Sequence, residues 1–410
     1  MTSTLRDYRK LAPDLARGAA LLGIAVANGI TTWSATGLPA AENELETYAG
    51  IIVDDSRWDK IMVVIGTLFV HVRGLPMFAT LLGYGIGMIL VREWHKGATP
   101  RSVRVILARR YGVLAIIGAL HTVFLFYGDI MLTYGLIALV VVLICTFPDR
   151  ILIRLVGVSA VIGAVLIAPW GYSPFDAVAP TTPISQDGGS GYLIDQLYPG
   201  LHVLVMTPGQ FFIDLVTLGP LILLGFIAGR RGVLEHPDRY ALPMRIAAGI
   251  TVLVIVGVGV PWGLSALGVL PAEPFWHGLN RVAGLWSGPG FVVWIFWVAQ
   301  WVQKRHRSNG LWIRMLAALG QMSMTGYVLQ SVLFTIIMVP WDLAIGAGRG
   351  AATVTLIAAG IWVVTMIFAY LWSLTHKRGP LEFVHRYFGY DLSSCIEYGI
   401  IQGCVLKTRR

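Results

Sequence analysis

The sequence predicts an all-α membrane protein that crosses the bilayer about ten times, on three observations. Of its 410 residues, 56% are hydrophobic and only 13% are charged, whereas about a quarter of the residues in soluble globular proteins are charged. Ten apolar stretches are each long enough to cross a hydrocarbon core of about 30 Å. Lys and Arg concentrate between alternate pairs of these stretches, as the positive-inside rule describes.

The predicted spans form one helical domain, 1–376, followed by a cytoplasmic tail, 377–410. They lie in residues 14–34, 72–91, 108–127, 131–147, 153–171, 203–228, 246–268, 282–302, 315–339 and 352–375. A short extra helix is expected at 59–71. The sequence VRGLP then interrupts it, because Gly and Pro disfavour a continuous helix.

The first predicted span has an alternative interpretation as a cleavable signal peptide. Basic residues precede its apolar run and LPAA follows it, which is the arrangement of a secretory signal. Asp14 and Arg17 interrupt the start of that run, however, and nine further spans require no cleavable signal. We therefore expect the first span to be retained.

Basic residues orient the predicted bundle. Of the 31 Lys and Arg, 25 fall in six segments: 1–12, 92–110, 148–154, 229–245, 304–314 and 376–410. The positive-inside rule places these segments, and with them both termini, in the cytoplasm. The polar segments 35–58 and 172–201 then lie outside as loops or lids. The net charge of +9 is thereby explained as topology. The expected partner is the lipid bilayer of a plasma or inner membrane, with no nucleic acid.

The cysteines do not indicate metal or disulfide chemistry. The chain has Cys145, Cys395 and Cys404, which lack both the CxxC spacing of zinc sites and the pattern of a disulfide framework. No metal is predicted.

Ionisable residues inside predicted spans are the first candidates for a functional site, because placing them in a membrane is costly. Asp14, Arg17 and Asn28 lie within about 60° of one another on the first span, at 100° per residue. This stripe is expected to face protein. Asp14 and Arg17 form either an ion pair at the helix end or part of a ligand site, and Asn28 either joins two helices or contacts a ligand.

The segment HTVFLFYGDIMLTYG places His121 within the third span and Asp129 at its outer end. Eight helical residues separate the two by about 12 Å and about 80°, so both are expected to face the bundle interior without touching unless the helix breaks at Gly128. Imidazole is well suited to accept a proton near neutral pH. The alternative for His121 is a hydrogen bond between helices. Asp129 is alternatively a turn or cap residue, or the partner of a cation such as Arg73.

Other polar residues in the apolar stretches suggest a cavity within the bundle, although packing explains each of them singly. The set comprises His71 and Arg73 before Pro76, Gln210 and Asp214 at i, i+4 on the sixth span, and Ser323, Tyr327 and Gln330 at i, i+4, i+7 on the ninth. A helix broken at Pro76 is able to line such a cavity.

Five motifs together resemble one family of membrane proteins. LARGAALLGIAVAN, RGLPMFATLLGYG, LHTVFLFYGDIMLTYG, LGQMSMTGYVLQS and RGPLEFVHR occur in the order seen in YeiB-like proteins, the domain of unknown function 418. That family resembles a branch of the transmembrane acyltransferase superfamily, beside heparan-α-glucosaminide N-acetyltransferase and the acyltransferase 3 proteins. The resemblance implies a ten-helix fold in which acyl-CoA, with acetyl-CoA as the first choice, binds from the cytoplasm. Its acyl group then reaches an acceptor across the membrane.

The resemblance also implies residue roles. The first-helix pattern of the heparan enzyme matches Asp14, Arg17 and Asn28, but the catalytic histidine that follows it there has no counterpart here. His121 is therefore the predicted general base, with His71 as second choice. Asn28 is the predicted donor to the oxyanion.

Two further roles complete the predicted site. Asp129 is expected to position the acceptor. The residues expected to hold the CoA phosphates lie at the cytoplasmic mouth, where Asp14 supports the first of four arginines: Arg17, Arg104, Arg109 and Arg110.

The predicted acceptor is a hydroxyl or amine on a sugar, glycolipid or other small molecule at the outer side. Two other classes stay open: a transporter or flippase, which also needs a polar cavity, and a non-catalytic envelope assembly or sensor protein. The halves of the chain show no convincing repeat, whereas many secondary transporters contain one. Turnover of acyl-CoA by the purified protein separates the enzyme from both alternatives.

Overall fold

The computed structural model describes residues 2–33, 44–167, 191–305, 310–339, 343, 345 and 349–391. Parts of the two predicted outer loops and the end of the predicted tail, with Cys395 and Cys404, lie outside these residues. The described chain is helical apart from one antiparallel hairpin, β1 (Glu44–Thr47) and β2 (Gly50–Val53). The predicted all-α class is confirmed.

Seven helices make up the first half of the chain. They are α1 (Thr2–Asn28), α2 (Arg57–Phe69), α3 (Gly74–His95), α4 (Pro100–Phe124), α5 (Met131–Ile144), α6 (Asp149–Ile167) and α7 (Tyr198–Arg231). Single π-helical segments follow α1, at Gly29–Trp33, and precede α7, at Leu193–Leu197. The short helix predicted before VRGLP is confirmed as α2.

The second half continues with eight helices. They are α8 (Ala241–Val254), α9 (Val260–Ala266), α10 (Glu273–Ala283), α11 (Gly288–Lys304), α12 (Leu311–Gln321), α13 (Ser323–Met338), α14 (Ala351–Ser373) and α15 (Pro380–Arg386). A π-helical segment, Ile255–Gly259, joins α8 to α9, and a 3₁₀ turn, Gly284–Ser287, joins α10 to α11. Another π-helical segment, Tyr387–Asp391, follows α15. The axes of α12 and α13 meet at a bend of 92°.

The helices give the chain the character of a polytopic membrane protein. Seven helical segments of the described chain are long and apolar enough to cross a membrane, or eight if α12 and α13 together count as one span. Each of the ten predicted stretches contains a helix, although α5 has only 14 residues. The exact number of ten spans and the cytoplasmic position of both termini stay predictions.

Glycines allow α3 and α7 to pack backbone against backbone. Gly83 and Gly87 of α3 contact α7, and Gly225 and Gly229 of α7 contact α3. A Cβ atom added at Gly225 would lie 2.0 Å from the carbonyl oxygen of Thr80. Small residues four apart are typical of helix contacts in membranes, where close packing rather than exclusion of water holds helices together. These contacts fix α3, which lines the site described next.

Candidate functional site

Three cavities follow one face of α1 from end to end. Arg17 lines the inner and middle cavities, Leu21 the middle cavity, Ile24 the middle and outer cavities, and Asn28 the outer cavity. These positions are i, i+4, i+7 and i+11, so they form one helical stripe about 16 Å long. The stripe predicted from Asp14, Arg17 and Asn28 therefore faces the interior of the protein.

The inner cavity, at the predicted cytoplasmic end, is the largest and is rich in positive charge. Its volume is about 1240 Å³, and its described lining contains seven Lys or Arg but three Asp or Glu. Arg17 is held loosely: its Nη1 lies 4.0 Å from Asp14 Oδ1, while Gln321 Nε2 donates to Asp14 Oδ2 at 3.0 Å. This excess of cations attracts anionic ligands.

The predicted arginines divide into two groups. Arg110 lines the inner and middle cavities together with Arg17. Arg104 donates to the hydroxyl of Thr146 at 2.5 Å, and neither Arg104 nor Arg109 lines any of the three cavities. Arg17 and Arg110 are therefore the better-placed candidates for contact with an anionic ligand.

The middle cavity is narrow, with a volume of about 290 Å³, and α15 closes its inner end. Glu382 of α15 accepts hydrogen bonds from the backbone amides of Met324, at 2.8 Å, and Thr325, at 3.1 Å. These amides open α13 just after the bend, where helical amides lack partners of their own. Glu382 therefore caps α13 and joins two of the motifs that the sequence singled out.

His385 anchors the other end of α15. Its Nε2 donates to the carbonyl oxygen of Arg110 at 2.9 Å. Burial, together with the nearby Arg110 guanidinium, lowers the pKa of His385 to about 4, so the imidazole is neutral at neutral pH. The sequence-based candidates omitted Glu382 and His385, although both belong to the RGPLEFVHR motif.

The middle and outer cavities share two lining residues, and we call the boundary at these two side chains the constriction. Ile24 of α1 and Ile130, just before α5, line both cavities. Tyr134 and Tyr327 line the middle cavity, and the hydroxyl of Tyr134 donates to the carbonyl oxygen of Leu75 at 2.5 Å. The constriction is therefore apolar, with two phenol rings on its inner side.

His121 and Asp129 contact each other, so the expectation that they do not touch was wrong. His121 Nδ1 lies 2.8 Å from Asp129 Oδ1. The helix ends at Phe124, earlier than Gly128, where a break had been considered. The chain then turns back, and Asp129 also accepts from the backbone amide of Leu132 at 2.8 Å. The cap role considered for Asp129 is therefore present at the start of α5.

Two hydrogen bonds hold the side chain of His121. An ionised Asp129 only accepts hydrogen bonds, so Nδ1 of His121 donates to it, while Nε2 lies 2.9 Å from the hydroxyl oxygen of Ser331. Both ring nitrogens are thus occupied. Asp129 lines the outer cavity, but His121 and Ser331 line none of the three cavities. The structure therefore places His121 behind Asp129, as a residue that orients it.

His71 lies on the wall of the outer cavity, which has a volume of about 340 Å³. Its Nε2 donates to the carbonyl oxygen of Ala49 at 3.2 Å, and its ring packs near Trp262. No described residue bonds to Nδ1, which therefore keeps a lone pair. The next residue, Val72, has a φ of 57°, a left-handed conformation that is unusual for a β-branched residue. This turn orients the end of α2 and the start of α3 around His71.

Arg73 also lines the outer cavity, but its partner differs from the one considered. Its Nη2 donates to Asn280 Oδ1 at 2.8 Å and to the carbonyl oxygen of Thr67 at 3.2 Å. Asp129 pairs with His121 instead. The interpretation of Arg73 and Asp129 as an ion pair is therefore not supported by the hydrogen bonds.

The remaining polar candidates are only partly brought together. Asp214 lines the outer cavity and accepts from Gln210 Nε2 at 3.3 Å. Ser323 and Tyr327 line the middle cavity, whereas Gln330 is buried outside the three cavities and its amide has no hydrogen bond within the described residues. The described residues contain no group of three His, Cys, Asp or Glu arranged to hold a metal ion.

Comparison with known proteins finds one family model and two relatives that are similar to this chain. Residues 228–391 match the family described as "Protein of unknown function (DUF418)". The chain is also 24% identical over 405 residues to the uncharacterized protein YeiB of Escherichia coli (strain K12), covering 92% of this chain and 95% of YeiB. The C-terminal part of the chain therefore resembles the DUF418 family, and nearly the whole chain is similar to YeiB.

A second relative has the same level of sequence identity to this chain. The uncharacterized protein YxaH of Bacillus subtilis (strain 168) is 24% identical over 344 residues, covering 78% of this chain and 79% of YxaH. The segment matched by the DUF418 family contains α13 and α15, and so Tyr327, Ser331 and Glu382. His71, His121 and Asp129 precede it. The family description names no activity, so function must be argued from the site.

Proposed function

We propose that the protein is an acyl-CoA-dependent acyltransferase that moves an acyl group to a hydroxyl or amine acceptor at the outer side of the membrane. One observation supports this most directly: a cationic inner cavity, a small middle cavity and an outer cavity with ionisable side chains follow one another along α1. An acyl-CoA has three parts in the same order: an anionic phosphorylated nucleotide, a thin flexible arm and the acyl thioester at its end.

The inner and middle cavities suit CoA, the carrier of the acyl group. Arg17 and Arg110 lie where the two cavities meet, and guanidinium groups bind phosphates through charge-assisted hydrogen bonds. A cavity of about 1240 Å³ accommodates a nucleotide, whereas one of about 290 Å³ suits a thin flexible arm. The thioester then stands near the constriction formed by Ile24 and Ile130.

The outer cavity suits the acceptor and a base. A general base needs a free lone pair within reach of the acceptor's proton, and His71 Nδ1 has one because Nε2 is bonded to Ala49. We assign His71 as the base and His121 as the residue that orients Asp129, which contacts the acceptor. Asn28, in the same cavity, is placed to donate to the developing oxyanion.

The proposed step conserves atoms and protons. The acceptor oxygen or nitrogen attacks the thioester carbonyl carbon while its proton moves to His71 Nδ1. The tetrahedral intermediate then collapses, the carbon–sulfur bond breaks, and the departing thiolate of CoA receives the proton that His71 took up, which returns His71 to its neutral state. We propose acetyl-CoA as donor, a sugar, glycolipid or small molecule of the cell envelope as acceptor, and the plasma or inner membrane as location.

The test uses full-length protein purified in detergent or reconstituted in liposomes. We expect CoA to bind and labelled acetyl groups to pass from acetyl-CoA to a mixture of sugars, amines and lipid extracts. Arg17→Ala should weaken CoA binding by roughly tenfold to a hundredfold, the effect of losing about 1.5–3 kcal/mol. Arg245→Ala is the control, because this arginine is exposed on α8 away from the cavities.

Two results would count against the enzyme. If the wild-type protein binds no CoA, the proposal that an acyl-CoA is the donor is wrong. Liposomes that accumulate a labelled solute without any acyl transfer would favour the transporter.

A further inference from the structure

The hydroxyl of Tyr327 is buried, and its O–H donates no hydrogen bond of normal geometry to the described residues. Tyr327 is 4% exposed, and its hydroxyl has no partner of normal geometry among the described residues. Buried polar side-chain atoms are nearly always bonded, so an unbonded one requires an explanation. A ligand that accepts this hydrogen bond is one such explanation.

Tyr327 stands beside the constriction. Its ring lines the middle cavity, lies 5.1 Å from the ring of His121 between centroids, and has its hydroxyl near the backbone of Ile130. Ile130 lines both the middle and the outer cavity. The Tyr327 hydroxyl therefore lies beside a residue that the middle and outer cavities share.

Tyr134 provides a comparison within the same cavity. It also lines the middle cavity, but its hydroxyl already donates to the carbonyl oxygen of Leu75 at 2.5 Å. Two phenols thus face one narrow space, and the one beside His121 keeps its proton available. Because the Tyr134 hydroxyl bonds within the protein and the Tyr327 O–H does not, we expect Tyr327 to donate to a bound molecule.

We infer that Tyr327 donates a hydrogen bond to the carbonyl oxygen of the acyl group while the thioester stands at the constriction. This inference rests on the proposed acyltransferase function and adds a residue that contacts the reacting atoms. The carbonyl oxygen gains negative charge when the acceptor attacks the carbon, and a fixed donor stabilises that charge. No covalent bond to Tyr327 forms, and its proton stays on the phenol oxygen.

The test compares acetyl-CoA with CoA, which differ by the acetyl group alone. Tyr327→Phe should leave the affinity for CoA within about twofold and weaken that for acetyl-CoA by roughly two- to tenfold, the loss of one hydrogen bond. The transfer rate at saturating acetyl-CoA should fall by about 10²- to 10³-fold, as when one oxyanion donor is removed. Equal weakening for both ligands would instead place Tyr327 on the carrier arm and overturn the inference.

Thermal unfolding gives a second, independent readout. Tyr327→Phe removes no hydrogen bond of normal geometry and loses a contact between the Ile130 backbone and the phenol oxygen, so its unfolding midpoint should stay close to that of the wild type. Tyr134→Phe is the stability control and should unfold at a lower temperature, because the Leu75 carbonyl loses its donor. A comparable drop for Tyr327→Phe would mean that the hydroxyl has a partner within the protein, and the inference would be wrong.

Failure of the inference is distinguishable from failure of the proposed function. Wild-type protein that binds neither CoA nor acetyl-CoA overturns both. Wild-type protein that transfers acetyl groups, with a Tyr327→Phe variant that transfers equally fast, overturns the inference alone.

Discussion

His121→Ala and His71→Ala are expected to separate a loss of stability from a loss of activity. His121 is 3% exposed and bonds to Asp129 at 2.8 Å and to Ser331 at 2.9 Å. Its removal leaves a buried carboxylate with the Leu132 amide as its remaining described donor. Leaving a buried charged group without its hydrogen-bond partner costs about 1–3 kcal/mol or more. The unfolding midpoint of His121→Ala should therefore fall strongly.

His71 should behave in the opposite way. Its one described hydrogen bond, to the carbonyl oxygen of Ala49, contributes about 0.5–1.5 kcal/mol, so His71→Ala should stay folded. If His71 is the general base, the rate of acyl transfer should fall by about 10²- to 10⁴-fold. Binding of CoA in the inner cavity should change little, because His71 lies in the outer one.

The assay follows thermal unfolding in detergent and labelled acyl transfer per amount of folded protein. His202→Ala is the matched control, since this partly buried histidine of α7 lies outside the three cavities, and it should alter neither quantity. The reasoning is refuted if His121→Ala unfolds like the wild type but does not transfer, while His71→Ala transfers normally. His121 would then be the base, as the family resemblance first suggested.

Three further predictions follow from topology, packing and charge. Cysteines introduced in 92–110 should resist an impermeant maleimide in intact cells and those in 172–201 should react; the reverse pattern would overturn the orientation. Gly225→Ala should lower the unfolding midpoint, because its Cβ meets the neighbouring backbone at a cost of about 1–3 kcal/mol or more. Gly209→Ala, with open space around it on the same helix, should be tolerated, and equal midpoints would contradict the packing argument. The folded-state pKa of His385 is about 4, below the ordinary 6.5, so acid favours the unfolded chain. Stability is full above pH 6.5 and should fall by up to roughly 1.4 kcal/mol per pH unit towards pH 4. His385→Gln should flatten this slope in unfolding measured against pH, and an unchanged slope would exclude His385 as its source.

Local periodicity predicted the elements and the first stripe of the site. The positions of Arg17 and Asn28 follow from 3.6 residues per turn, and the apolar stretches followed from length and composition. These features depend on near neighbours in the chain, so a single sequence contains them.

Contacts between distant segments could not be predicted in the same way. The end of α4 at Phe124 has no Gly or Pro to announce it, and so the contact between His121 and Asp129 was missed. Ser331, 210 residues from His121, had no signal in its spacing. Glu382 bonds to the backbone amide of Thr325, which lies 57 residues earlier in the chain. No local sequence pattern predicts a contact over that separation. The motif that contains Glu382 was visible, but its partner was not.

We propose group transfer rather than the passage of a whole solute because helices that line the cavities pack backbone against backbone. A transporter of the rocking kind must move the elements that line its cavities past one another. Here α3 and α7 touch through backbone atoms at four glycines, and a Cβ added at Gly320 of α12 would lie 1.8 Å from the Asp14 carbonyl oxygen of α1. Such close contacts fit one arrangement of the helices and resist sliding. In the proposed reaction, the acyl group passes between the side chains of Ile24 and Ile130. The CoA that carries it stays in the inner and middle cavities.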